Sequence, residues 1–126
     1  MHYNYPAPPG VLASPGHPAD YPSNLDRTDT IVVEQGLVLS INFIAFDVHA
    51  HSSCRYDHLT ISEGDGTPLM AKACGSDLPP ELTSNTGFVR VFFHTNSANT
   101  RSGWRLEWTA VSPGVPPPHH LPPPAP

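Results

Sequence analysis

The sequence predicts an all-β protein, an antiparallel β-sandwich of short strands, on three observations. Apolar residues recur with a period of two, Gly-containing turn signals separate the apolar runs, and no ten-residue stretch carries the period of an amphipathic helix. A strand with one apolar face must bury that face against another sheet, so several such strands in succession read as two packed sheets.

The elements follow in chain order. LVLSINFIAF (37–46) sets Leu37, Leu39, Ile41 and Phe43 against Val38, Ser40, Asn42 and Ile44, and its β-branched and aromatic content favours strand over helix. DHLTIS (57–62) places Leu59 and Ile61 on one face. FVRVFFH (88–94) places Val89, Val91 and Phe93 opposite Arg90, Phe92 and His94. WRLEWTAV (104–111) turns Trp104, Leu106, Trp108 and Ala110 inward and Arg105, Glu107 and Thr109 outward. Turns are signalled at Glu34-Gln35-Gly36, Glu63-Gly64-Asp65-Gly66, Asn85-Thr86-Gly87 and Arg101-Ser102-Gly103, where Glu63 and Asp65 read as solvated turn residues.

Composition bounds the function. The 126 residues, 38% hydrophobic, suffice for one modest domain and contain no apolar run near the roughly 20 residues of a bilayer span, so direct membrane insertion is not expected. A net charge of -5 with 6 Lys and Arg and no basic run leaves nothing to neutralise a phosphate backbone, which argues against nucleic acid as a partner. Of 17 prolines, only Pro68, Pro79 and Pro80 fall between Pro22 and Pro113. The organisation expected is therefore a disordered segment over 1–10, a folded domain over 11–112 and a Pro-rich linker or tail over 113–126. The start MHYNYPAPPG has neither the basic flank nor the apolar core of a secretory signal.

Cys54 and Cys74 are the two cysteines, and by themselves they are either two buried thiols or one disulfide. A bridge would close a loop of about 20 residues, worth roughly 3 kcal/mol in the chain-entropy model, and would imply an oxidising compartment. Cys54 lies in FDVHAHSSCRYDHLTI (46–61), which gathers His49, His51, Asp57 and His58 and reads at first as a metal or catalytic site. His49, His51 and Asp57 supply a nitrogen, nitrogen and oxygen set that zinc accepts, although no rigid helix aims them. No G-x-S-x-G, H-E-x-x-H or P-loop pattern accompanies them, so catalysis is not expected.

Six motifs in order resemble the CUB domain, an extracellular β-sandwich module. LASPGHPADYPSN (12–24) is similar to the family's opening S-P-x-x-P-x-x-Y-P-x-N, and INFIAFDV to its buried strand ending in Phe-Asp. CRYDHLTISEGDG resembles C-x-Y-D-x-L-x-I, Cys74-Gly75 the Cys-Gly of a family disulfide, VRVFFHTNSAN the V-x-F-x-S-D-x-S segment, and SGWRLEW the closing strand. The resemblance implies a jelly-roll sandwich of the CUB/spermadhesin kind and pairs Cys54 with Cys74. It also implies that the family's earlier disulfide is absent, since its second cysteine falls at Arg27, leaving the N-terminal strand to be held by pairing and burial.

A subset of CUB domains binds calcium through a Tyr, a Glu and two Asp. By motif these positions are Tyr21, His49, Asp57 and Asn96, so two of three carboxylates are replaced and calcium is not expected to bind well. The implied function is an extracellular protein-interaction module, secreted or in the ectodomain of a larger protein. Its contact residues would be Tyr21, Asp47, His49, Asp57, Asn96 and Asn99, and its partner an extracellular protein presenting a basic side chain. The alternatives are a small stand-alone secreted lectin-like or seminal-plasma type protein of the same family, and a metal-dependent enzyme using His49, His51 and Asp57.

Overall fold

The structure is a computed structural model that describes residues 10–113. The expectations of a disordered start and a Pro-rich tail fall outside the described residues, except that Gly10 already opens the first strand. The strands are β1 (Gly10–Ala13), β2 (Asp26–Val32), β3 (Val38–Asp47), β4 (His58–Glu63), β5 (Pro68–Ala73), β6 (Leu82–Thr83), β7 (Phe88–His94) and β8 (Gly103–Val111). They form two four-stranded sheets, ordered β1-β8-β3-β6 and β2-β7-β4-β5, with antiparallel pairing throughout. Among the described residues no helix is long and apolar enough to cross a membrane.

The inner faces are those the alternation predicts. Leu39, Ile41 and Phe43 of β3, Leu59 and Ile61 of β4, Val89, Val91 and Phe93 of β7, and Trp104 and Leu106 of β8 are buried in one core. Each large apolar side chain removed from water contributes about 1.5–3 kcal/mol, so these facing rows fix the register of the central strands. A bulge between Phe43 and Ala45 resets the phase of β3, which is why Phe46 and Val48 also point inward.

Three expectations need correction. Ala110 is exposed and Trp108 only half-buried, because the core ends at Leu106 and Trp108 packs on its border, with its ring covering Gly10 of β1. Glu63 is no solvated turn residue. It continues the inward row of Leu59 and Ile61, is 3% exposed, and accepts hydrogen bonds from Asn85 N (2.7 Å) and the Thr86 hydroxyl (2.6 Å), so it ties the turn before β7 to the end of β4. Asp65 does have the expected turn role: Thr67 N donates to its Oδ1 at 2.9 Å, and hydrogen bonds from Thr67 hold its carboxyl below the usual range.

The cysteine alternatives resolve to a disulfide, Cys54–Cys74, with Cα atoms 5.5 Å apart. It ties the β3–β4 loop to the end of β5, beside a bridge between Val48 and Gly75. With one disulfide, the N-terminal strand is held as expected: β1 pairs with β8 from Gly10–Trp108 to Ala13–Arg105. Buried Ser14 completes the seam, its N donating to Trp104 O (2.9 Å) and its Oγ accepting from Trp104 N (3.0 Å).

Candidate functional site

Three loops meet at one end of the sandwich: 14–25 between β1 and β2, 48–57 between β3 and β4, and 95–102 between β7 and β8. Their backbones are stitched directly. Tyr21 N donates to Arg101 O (3.0 Å), Asn24 N to Asn96 O (2.7 Å) and Thr95 N to Leu25 O (2.8 Å). The buried Thr95 hydroxyl adds two more links, accepting from Leu25 N and donating to Pro22 O, each at 2.8 Å. Gly103, at φ +90°, lies against Ser14 and the Tyr21 ring, where a Cβ would collide with the serine hydroxyl.

At the centre Tyr21 meets Asp57. The Tyr21 ring stands edge-on to Phe93 (centroids 5.0 Å apart), which stands edge-on to Trp104 (5.7 Å), so the core itself aims the hydroxyl. The hydroxyl donates to Asp57 Oδ2 at 2.6 Å and accepts from His49 N at 3.0 Å, while Asn96 N donates to Asp57 Oδ1 at 2.8 Å. Tyr21 is 1% exposed and Asp57 fully buried. Burial first, then the hydrogen bond to Asp57, pushes the tyrosine pKa well up from its ordinary value, so the hydroxyl stays a donor.

The predicted contact residues divide by depth. Tyr21 and Asp57 lie beneath the surface and hold the loops. His49 and Asn96 are half-buried and Asn99 is exposed, at φ 64°. Asp47 pairs with Arg101 (Nε–Oδ1 3.3 Å) and accepts from the Ser102 hydroxyl (3.3 Å). Asp47, His49, Gly75, Ser76 and Arg101 border a shallow depression of about 210 Å³. On its other flank His49 stacks on Tyr56, which also receives His51 edge-on and the Arg55 guanidinium over its face.

The sequence profile of the CUB domain matches residues 2–108. The chain belongs to the CUB domain family. This CUB domain is 35% identical to human neuropilin-2 over a 116-position alignment that covers 86% of this chain and 12% of that protein. It is 36% identical to human cubilin over a 102-position alignment that covers 79% of this chain and 3% of cubilin. Among solved structures it resembles the CUB1-EGF-CUB2 region of human MASP-1/3, with a TM-score of 0.76 and 29% identity over 82% of this chain and 39% of that one. It also resembles the full extracellular region of zebrafish Gpr126/Adgrg6, with a TM-score of 0.74 and 26% identity over 80% of this chain and 14% of that one. The chain thus spans about an eighth or less of the curated relatives it matches, and CUB domains like it are embedded in large multidomain extracellular proteins.

The MASP-1 CUB2 domain, similar at a TM-score of 0.74 and 25% identity over 83% of this chain and 95% of that one, has been solved bound to Ca²⁺. The residues here do not fit that ion. Both Asp57 oxygens already accept protein hydrogen bonds, the Asn96 side-chain oxygen accepts from Ala98 N at 3.2 Å, and His49 brings an imidazole, whereas calcium wants 6–8 oxygens with several charges. The zinc set is not assembled either. His51 Nδ1 accepts from Ser53 N at 3.1 Å, His49 Nδ1 is buried without a partner, and Asp57 is turned to Tyr21. Among the described residues no group of three or more His, Cys, Asp or Glu is placed to hold a metal.

Sequence reasoning missed Glu63, Thr95 and Ser14 as loop and turn anchors. The signal for Glu63 was present, since it occupies the next inward position after Leu59 and Ile61.

Proposed function

We propose that this CUB domain is a protein-interaction module of a larger secreted or membrane-anchored protein, engaging an extracellular partner through its loop end. Residues 11–112 would be the folding unit and 113–126 a linker. The contact surface would be Asp47, His49, Asn96 and Asn99, with Tyr21 and Asp57 as the buried frame behind it. The observation that supports this most is the frame itself. The position that would hold a calcium ion is closed by Tyr21, Asp57, His49 N and Asn96 N, so the loops are pre-organised without metal and binding need not order them. Asp47 and its partner Arg101 are both open to water, so a partner's Lys or Arg can compete for the carboxylate.

The test is capture from extracellular fluid by the immobilised chain, with and without EDTA, compared with the variant Asp47→Ala/His49→Gln/Asn99→Ala. A protein retained by the parent chain and lost by the variant, with circular dichroism unchanged, supports the reading. Equal retention by both moves the contact surface elsewhere, and retention abolished by EDTA overturns the metal-free frame.

A further inference from the structure

The outer face of the β2-β7-β4-β5 sheet carries one row of ionisable groups across three strands. Asp26 of β2 is the register partner of His94 of β7, and His94 that of His58 of β4. Because Leu59, Ile61, Val91 and Phe93 point into the core, His58 and His94 share the opposite face. Their rings lie 5.1 Å apart between centroids, inclined by 31°.

The hydrogen bonds fix the tautomers. His94 Nδ1 is 2.6 Å from Asp26 Oδ1 and His58 Nδ1 is 2.9 Å from Cys54 O. A carboxylate and a carbonyl only accept, so each Nδ1 carries the proton, and a neutral ring then holds its lone pair on Nε2. Among the described residues no protein hydrogen bond engages either Nε2, and neither is among the buried, unpartnered nitrogens, which there are His49 Nδ1 and Trp104 Nε1. Imidazoles that ligate metals have this arrangement, the distal nitrogen free and the other donating to a carboxylate or backbone carbonyl.

We propose that His58 Nε2 and His94 Nε2 form a two-imidazole site for a divalent transition ion, with water in the remaining positions and Asp26 as the carboxylate behind His94. With metal–nitrogen bonds of about 2.0–2.1 Å, two imidazoles at right-angled to tetrahedral placement have ring centres roughly 4.5–5.1 Å apart. The observed separation lies at the tetrahedral end, and the half-exposed His94 can close the difference for a tetragonal ion. Cu²⁺ should bind ahead of Zn²⁺, following the general affinity order. His58 is 8% exposed and half-exposed His94 is the more open ligand, with the charge of Lys72 felt at His58. Lys72 also repels the incoming cation, and with only two protein ligands the site is an exchangeable one.

The test uses the full chain carrying His2→Gln, His119→Gln and His120→Gln, so that terminal histidines do not compete. Cu²⁺ is titrated at pH 7.4 in a non-coordinating buffer, followed by calorimetry and electron paramagnetic resonance. The expected result is one site with two imidazole nitrogens, weakened at least tenfold by His94→Gln and by His58→Gln, about tenfold by Asp26→Asn, and unchanged by His17→Gln. Should His58→Gln not fold, paramagnetic broadening of the His58 ring protons in the parent chain decides its role. Binding that survives His94→Gln, a single-nitrogen spectrum, or an unbroadened His58 ring overturns the proposal.

Discussion

Replacing Tyr21 by Phe removes one oxygen and tests the frame of the loop end. The ring contact with Phe93 survives, so the loss is confined to two hydrogen bonds. Asp57 Oδ2, fully buried, loses a donor at 2.6 Å, and a hydrogen bond to an ionised acceptor is worth about 1.5–3 kcal/mol. His49 N loses its acceptor at 3.0 Å, and because His49 is half-buried water can partly replace it, leaving about 1 kcal/mol. Urea unfolding at pH 7 should therefore show Tyr21→Phe less stable by about 2.5–4 kcal/mol, as a lower midpoint at unchanged slope. Adding Asp57→Asn to Tyr21→Phe should cost clearly less than Asp57→Asn alone, since the two groups share the bond. A second readout comes from pH. The Tyr21 pKa is raised on folding from 10.0, so its contribution is complete below pH 10 and is lost as the unfolded chain ionises above it. The parent chain should lose stability above pH 10 more steeply than Tyr21→Phe. A loss under about 1 kcal/mol with additive double-variant energies would refute the claim that this pair frames the loops.

Reduction of Cys54–Cys74 should lower stability by roughly 2–4 kcal/mol, measured by urea unfolding with and without reductant, and two reactive thiols in the denatured, unreduced chain would contradict the bridge. Trp104→Ala should cost about 3–5 kcal/mol, Trp108→Ala distinctly less because it borders the core, and Thr109→Ala under about 0.5 kcal/mol; equal losses for the two tryptophans would place the core edge wrongly. Millimolar calcium should leave the melting temperature of the parent chain unchanged, whereas His49→Glu with Asn96→Asp, adding two carboxylates beside Asp57, should give a calcium-dependent rise. A strong rise in the parent chain would mean that the Tyr21–Asp57 frame opens to admit the ion.

What was legible in the sequence follows from where each strand sits. The four strands that alternation reveals, β3, β4, β7 and β8, are the central pairs of the two sheets, and the four it does not, β1, β2, β5 and β6, are the edges. A central strand presents a full inner face to the core, which forces apolar residues into every second position. An edge strand covers less of it: β2 buries only Ile31, and β6 is two residues long. The loop end divides similarly. Motif resemblance brought Tyr21, His49, Asp57 and Asn96 together, but that Asp57 spends both oxygens on protein donors depends on long-range geometry that spacing does not carry. The illegible edges have a physical logic of their own. An open edge invites pairing with another chain, and proteins blunt it with short strands, charge and proline. Here β1 and β6 are short, β2 carries Asp26 and the Arg27–Asp29 ion pair (3.0 Å), and β5 carries Pro68 and Lys72. The charges and proline that hide β2 and β5 from a search for alternation are those that keep them from extending into a neighbour's sheet, so for an edge strand a weak sequence signal is part of how it works.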